Sequence, residues 1–251
     1  MNSIRSKILA FGGAASVAIV LASSASALAL SSAAGSSDNG ANAATAVSSA
    51  DLTRLKTRGD AEITRRLTAL NKLATVINSA VNLSASNKTS LSNQVSGETS
   101  DLTSLKTQLD GETTLAVAQA DAQSIITGYR VYALIVPKVY LLKSADTELA
   151  NNTKLSTLAG KLQDRLNTAK GQGKDVSSLQ TKLDDMNAQT ASAKGTAEAV
   201  ETKVLPLLPT DYDSDHSVLE GQKAQLQTAH NQNIVAYSDA KTIVAGLKSL
   251  Q

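Results

Sequence analysis

The chain has 251 residues, 24 Lys and Arg against 22 Asp and Glu, and no cysteine. A disulfide framework, a thiolate metal site, a Cys nucleophile and a lipid-modified N-terminal Cys are thereby excluded. The near balance of charge, without any block of Lys or Arg, also leaves no patch that could release counterions from a nucleic-acid backbone, so nucleic acid is not an expected partner.

The first residues, MNSIRSK, carry Arg5 and Lys7 and no acid, and are followed by the uncharged run ILAFGGAASVAIVLA. That pairing reads as the n- and h-regions of a signal peptide, residues 1–29, with small-residue cleavage sites at Ala25 to Ala27 and at Ala27 to Ala29. If left uncut, the uncharged residues from Ile8 to Leu30 are long enough to anchor the chain in a bilayer. The expected location is secreted or extracytoplasmic, tethered by the N-terminus in the uncut case. Cleavage removes two basic residues and no acidic one, which leaves the mature chain formally neutral.

Residues 30–50 are almost wholly Ser, Ala, Gly and Asn. Such a segment buries too little apolar area to offset the entropy of ordering, and it reads as a disordered linker before a domain at 51–251.

From Asp51 the apolar period is helical throughout, and no alternating strand pattern competes. The first segment places Ile63, Leu67, Leu70, Ala74, Ile77 and Val81 at heptad spacing, with Glu62 and Arg66 as an i,i+4 pair on its outside. After NLSASN, a second carries Leu91, Val95, Leu102, Leu105 and Leu109 and ends at Gly111. A third starts near Thr113, continues through Leu142, Ala145, Leu149, Ala159, Leu162 and Leu166, bent or interrupted, and stops at Gly171 and Gly173. The fourth, capped by Asp175, has Val176, Leu179, Leu183, Met186, Ala197, Val200 and Val204 and ends before Pro206 and Pro209. The fifth is expected to open with a capping box at Ser217 to Glu220 and to run to the C-terminus. The fold class is therefore all-α, an elongated antiparallel bundle of about five long helices with coiled-coil-like packing.

Two stretches, DLTRLKTRGDAEIT at 51–64 and DLTSLKTQLDGETT at 101–114, echo one another. Heptads drawn from few residue types look alike without common origin, and a duplicated helical unit is the alternative.

The candidate ligand or partner face lies in SIITGYRVYALIVPKVYLL, residues 124 to 142. Its uncharged core is too short to span a bilayer and is flanked by Arg130 and Lys138. Tyr129, Tyr132, Val136 and Tyr140 share one helical face and Val131, Ile135, Val139 and Leu142 an adjacent one. Pro137 should kink the helix by denying Ala133 its hydrogen bond. Either this is the packed centre of the bundle, or the kink forms a pocket with tyrosine hydroxyls as polar contacts.

In TDYDSDHS, Asp211, Asp213 and Asp215 alternate like the first ligands of a calcium loop. In that register His216 stands where glycine is needed and Gln222 where a bidentate Glu is needed, which makes them weak metal candidates. His216 and His230 belong to no nucleophile or metal motif, so no catalytic residue, enzyme activity or cofactor is expected.

The stretch YRVYALIVPKV, with ITRRLTALNKL upstream and AGKLQDRLNTAKGQGKD downstream, resembles an uncharacterised family of exported bacterial helical-bundle proteins. The resemblance implies an exported coiled-coil-like bundle and brings no activity or functional residues with it. The function expected is a structural spacer or cell-surface interaction module, binding a protein or surface partner or a second copy of itself. The alternative is a membrane-active or apolar-ligand-binding bundle that uses residues 124–142.

Overall fold

The computed structural model describes residues 40–250, with side chains from 48 onward. The expected signal peptide and residues 30–39 of the linker lie outside the described residues. Among those described there is no strand, and the fold is an all-α bundle. Its helices are α1 (Gly40–Ser79), α2 (Ala85–Gly111), α3 (Leu115–Thr127), α4 (Val136–Gly171), α5 (Ser177–Val204), α6 (Pro209–Ser214) and α7 (Gln222–Ser249). A π-helical turn, Val131–Ile135, lies between α3 and α4. Five of the helices are long, the longest being α1 at 40 residues and α4 at 36. At 1.5 Å per residue α4 alone is roughly 54 Å long.

Residues 40–50, expected to belong to the linker, form the first turns of α1. Ala41, Ala43, Ala44 and Ala46 are the best helix formers, which explains how a segment with no heptad can still carry the helix upstream. The seam of α1 is also shifted from its expected register. Ile63, Leu70 and Ile77 are fully buried as expected, but the buried positions between them are Arg66 and Leu73, Ala80 follows just past the helix end, and Val81 is 93% exposed. Glu62 and Arg66 do pair, at 2.7 Å, with the arginine buried rather than outside.

Cross-helix bonds give the topology. The α1–α2 hairpin is antiparallel: Lys106 Nζ donates to Asp60 at 2.8 Å and Lys56 Nζ to the Asp110 carbonyl at 2.8 Å. These are equivalent residues of the two echoing stretches, exchanged between the helices. A Cβ on Gly59 would meet Leu109, which stands at the equivalent place in the second stretch. The echo is thus a local pseudo-twofold pair, with a glycine on one side of its axis making room for a leucine on the other.

The hairpin is fastened to the long helices at its turn. Ser84 caps α2, its hydroxyl accepting from the Asn87 N–H at 3.3 Å, and its own N–H donates to Asp146 of α4 at 3.0 Å. The buried Asn87 amide donates to Asp146 at 2.9 Å and to Glu201 of α5 at 2.6 Å.

α4, α5 and α7 run through both of two apolar clusters. One gathers α1, α2, α3, the π-helical turn, the start of α4, the end of α5 and the start of α7. The other is a three-helix section built from Leu155, Leu162 and Leu166 of α4, Leu183 and Met186 of α5, and Ile243 and Leu247 of α7. Asp175, expected as the cap of α5, stands one residue ahead of the cap position, which is Val176, and accepts from the Ser177 N–H at 2.9 Å. Residues 217–220, in contrast, do not start a helix. The Ser217 N–H and hydroxyl both go to Asp215, at 2.8 and 2.6 Å, and α7 begins only after Gly221 at φ 75°.

Between the two clusters lies a polar layer. Asn152 of α4 donates to Asn233 of α7 at 2.8 Å, Asn233 donates to Glu148 at 2.8 Å, and Glu148 meets the His230 ring at 3.0 Å. The buried Thr190 of α5 bonds back to the Met186 carbonyl at 2.7 Å and fills the same level.

Candidate functional site at the helix break

The segment 124–142 is broken upstream of Pro137, at residues 128–130. α3 ends at Thr127, and Arg130 adopts the left-handed conformation, φ 40° and ψ 34°. A non-glycine residue there costs about 1–2 kcal/mol. From Arg130 the chain re-enters helix through the π-helical turn, in which the Val136 N–H reaches the Val131 carbonyl. Pro137 then falls in the first turn of α4, directly after the π-helical turn, and adds no donor to the ladder that the turn carries into α4.

The break separates the expected tyrosine face. Tyr129 lies in it and is half-buried; Tyr140 is half-buried on α4. Tyr132, read as either packed core or pocket lining, is 47% exposed, with its hydroxyl donating to the Arg65 carbonyl at 3.0 Å and the Arg66 guanidinium 5.5 Å from its ring centre. The adjacent face meets expectation: Val131, Ile135, Val139 and Leu142 are each at most 1% exposed. By length and composition the run Leu115–Gly171 is apolar enough to cross a membrane. The same run supplies these core residues, and a buried core helix passes that test equally well.

What gathers at the break is a set of charges that sequence reasoning missed. Lys138 is 2% exposed, and its Nζ donates to the Leu207 carbonyl at 2.8 Å. Burial pulls its amine down to about 8, partly offset by the charges of Asp211 and Glu98. On α2, burial and the neighbouring Asp101 push the Glu98 carboxyl up to about 7, against the pull of Lys138. Burial, with the charges of Asp101 and Glu98, also raises the Tyr129 phenol. Glu98 had a signal: it sits at the seam position between Val95 and Leu102, where the apolar pattern skips a place. Glu98 and Lys138 are thereby drawn toward neutrality from opposite sides, while the phenol moves away from it. Because Lys138 faces protein rather than water, it serves as an internal charge and not as an accessible acid or base.

The three aspartates do not converge. Asp211 accepts from the Leu208 N–H at 2.7 Å, Asp213 accepts from Arg130 Nε at 2.5 Å, and Asp215 holds Ser217. Among the described residues no group of three or more His, Asp or Glu is placed to hold a metal ion. His216 packs its ring 4.9 Å from that of Tyr212, far from any such role. No family model, curated protein or solved structure matches this chain.

Proposed function

We propose that the chain is an exported, non-catalytic helical bundle that acts as a spacer or cell-surface interaction module, carried by its N-terminal segment as a secreted or membrane-tethered protein. The observation that supports this most is the continuity of α4, α5 and α7 through both apolar clusters. Three uninterrupted helices crossing one polar layer resist bending, because a hinge there would leave Asn152, Asn233 and Glu148 without partners. The titratable groups support the same reading, since Lys138 and Glu98 are spent on internal electrostatics.

A second reading is favoured by one observation. The apolar run around the π-helical turn is interrupted by a strained residue and closed by charges, as expected of a bundle that opens toward lipid or an apolar ligand. Neutral and anionic vesicles incubated with the secreted chain at pH 7.4 and 5 discriminate the two. The spacer reading expects protein in the supernatant and no dye release, and a C-terminal epitope accessible on intact cells. Leakage or co-sedimentation would replace it with the second reading.

A further inference from the structure

We propose that residues 205–221 form a strap that closes over the π-helical turn and opens by local unfolding while the rest of the bundle stays folded, with Lys138 and Arg130 as its two fastenings. This goes beyond both functional readings, since a spacer or a lipid-binding bundle could exist without it.

The strap has a stiff break at one end and a free joint at the other. α5 stops at Val204, with Pro206 and Pro209 unable to continue it, and Gly221 at φ 75° reopens the chain into α7. Between these ends α6 carries no buried residue, and Leu208 is 53% exposed. Leu205, Leu207, Tyr212, Val218 and Leu219 of the strap each pack only in part against the apolar cluster beneath. No residue of the strap is fully buried, so polar fastenings add to a partial apolar contact.

Both fastenings rise from the break. Lys138 donates to the Leu207 carbonyl at 2.8 Å, and Arg130 donates to Asp213 at 2.5 Å with its guanidinium 5.6 Å from the Tyr212 ring centre. The charged groups facing Lys138 are Glu98 from α2 and Asp211 from the strap itself. Arg130 is the one described non-glycine residue at positive φ, so releasing Asp213 removes a contact that holds a strained backbone. Loss of the Lys138 charge weakens the other fastening, because a hydrogen bond from an ammonium is about twice as strong as one from a neutral donor. With its amine near 8, that loss falls just above neutrality.

Hydrogen exchange read by mass spectrometry on the full chain tests this. The reporters are the Tyr212 and Asp215 amides, bonded to Leu208 and Asp211 carbonyls. In a Lys138→Met, Arg130→Gln double variant the 207–215 peptide should exchange at least tenfold faster than wild type, while peptides around Leu155, Leu183 and Ile243 keep their protection. Lys138→Arg should restore most of it, and wild type at pH 9, corrected for intrinsic rate, should exchange several-fold faster than at pH 7. Should the double variant fail to fold, Asp213→Asn releases one fastening from the exposed side and should accelerate the same peptide alone. Unchanged exchange in the variants, an unprotected wild-type strap, or loss of protection together with α7 would each overturn the proposal.

Discussion

Asn152 and Asn233 meet between α4 and α7, the amide of the first donating to the side-chain oxygen of the second at 2.8 Å, at the level where both apolar clusters stop. A buried asparagine pair of this kind is satisfied in one axial alignment and in no slipped one, so it specifies register at some cost in stability.

Asn233→Ala should therefore destabilise the domain by about 2–3 kcal/mol, since it strips the Asn152 amide and the Glu148 carboxylate of a partner inside the bundle. Urea denaturation at constant m-value measures it. A loss below about 0.5 kcal/mol would mean that water satisfies the layer.

Much of the fold was legible because heptad spacing survives single departures from it. Leu91, Val95, Leu102, Leu105 and Leu109 were all read as seam residues and all are buried. The departures themselves were passed over. Glu98, Asn152, Thr190 and Asn233 each occupy the seam place that a gap in the apolar pattern leaves, and Arg66 does so in α1, which drew the expected seam to Leu67 and Val81. A polar residue at such a position is a signal, but its partners come from other helices and cannot be read along one. The break at Arg130 was hidden for another reason: Pro137 is the visible helix breaker, whereas the chain accommodates it by restarting upstream.

The charges at the break make stability depend on pH in a stated direction. Glu98 has a folded pKa raised to about 7 from 4.5, so the folded state holds its proton more tightly than the unfolded one. The stability this contributes is full below pH 4.5 and is lost as pH rises through 7. Glu98→Gln should equal wild type at pH 4.5 and, discounted for the solvent that reaches this half-buried group, exceed it by about 1–2 kcal/mol at pH 8. Urea midpoints at pH 4.5, 6, 7 and 8 check the widening gap; a constant difference would show that Glu98 does not titrate differently on folding.

The two faces of segment 124–142 should respond unequally to truncation. Ile135→Ala removes a residue 1% exposed and should cost about 2–4 kcal/mol. Tyr132→Ala, at 47% exposure, should cost about 1 kcal/mol or less. Thermal melting compares them, and an Ile135→Ala midpoint within two degrees of wild type would contradict its place in the core.

The pseudo-twofold contact predicts a rescue. Gly59→Leu places a side chain where Leu109 sits and should destabilise by about 1–3 kcal/mol. Adding Leu109→Gly exchanges the two positions about the axis and should recover most of that loss, as a double-mutant cycle would show. Additive effects would mean that the two positions do not share one space.

The central claim is that the long helices pass through the polar layer as a stiff, uninterrupted rod. The absence of cysteine allows spin labels to be placed at will, and Lys143 and Arg165 are exposed on α4 on either side of the layer. Pulsed electron–electron resonance between labels at these two sites is the most direct measurement. At 1.5 Å per residue the backbone separation is roughly 33 Å. The account predicts one narrow distance distribution near that value, unchanged by anionic vesicles. A broad or two-peaked distribution, or a shift on adding vesicles, would contradict it.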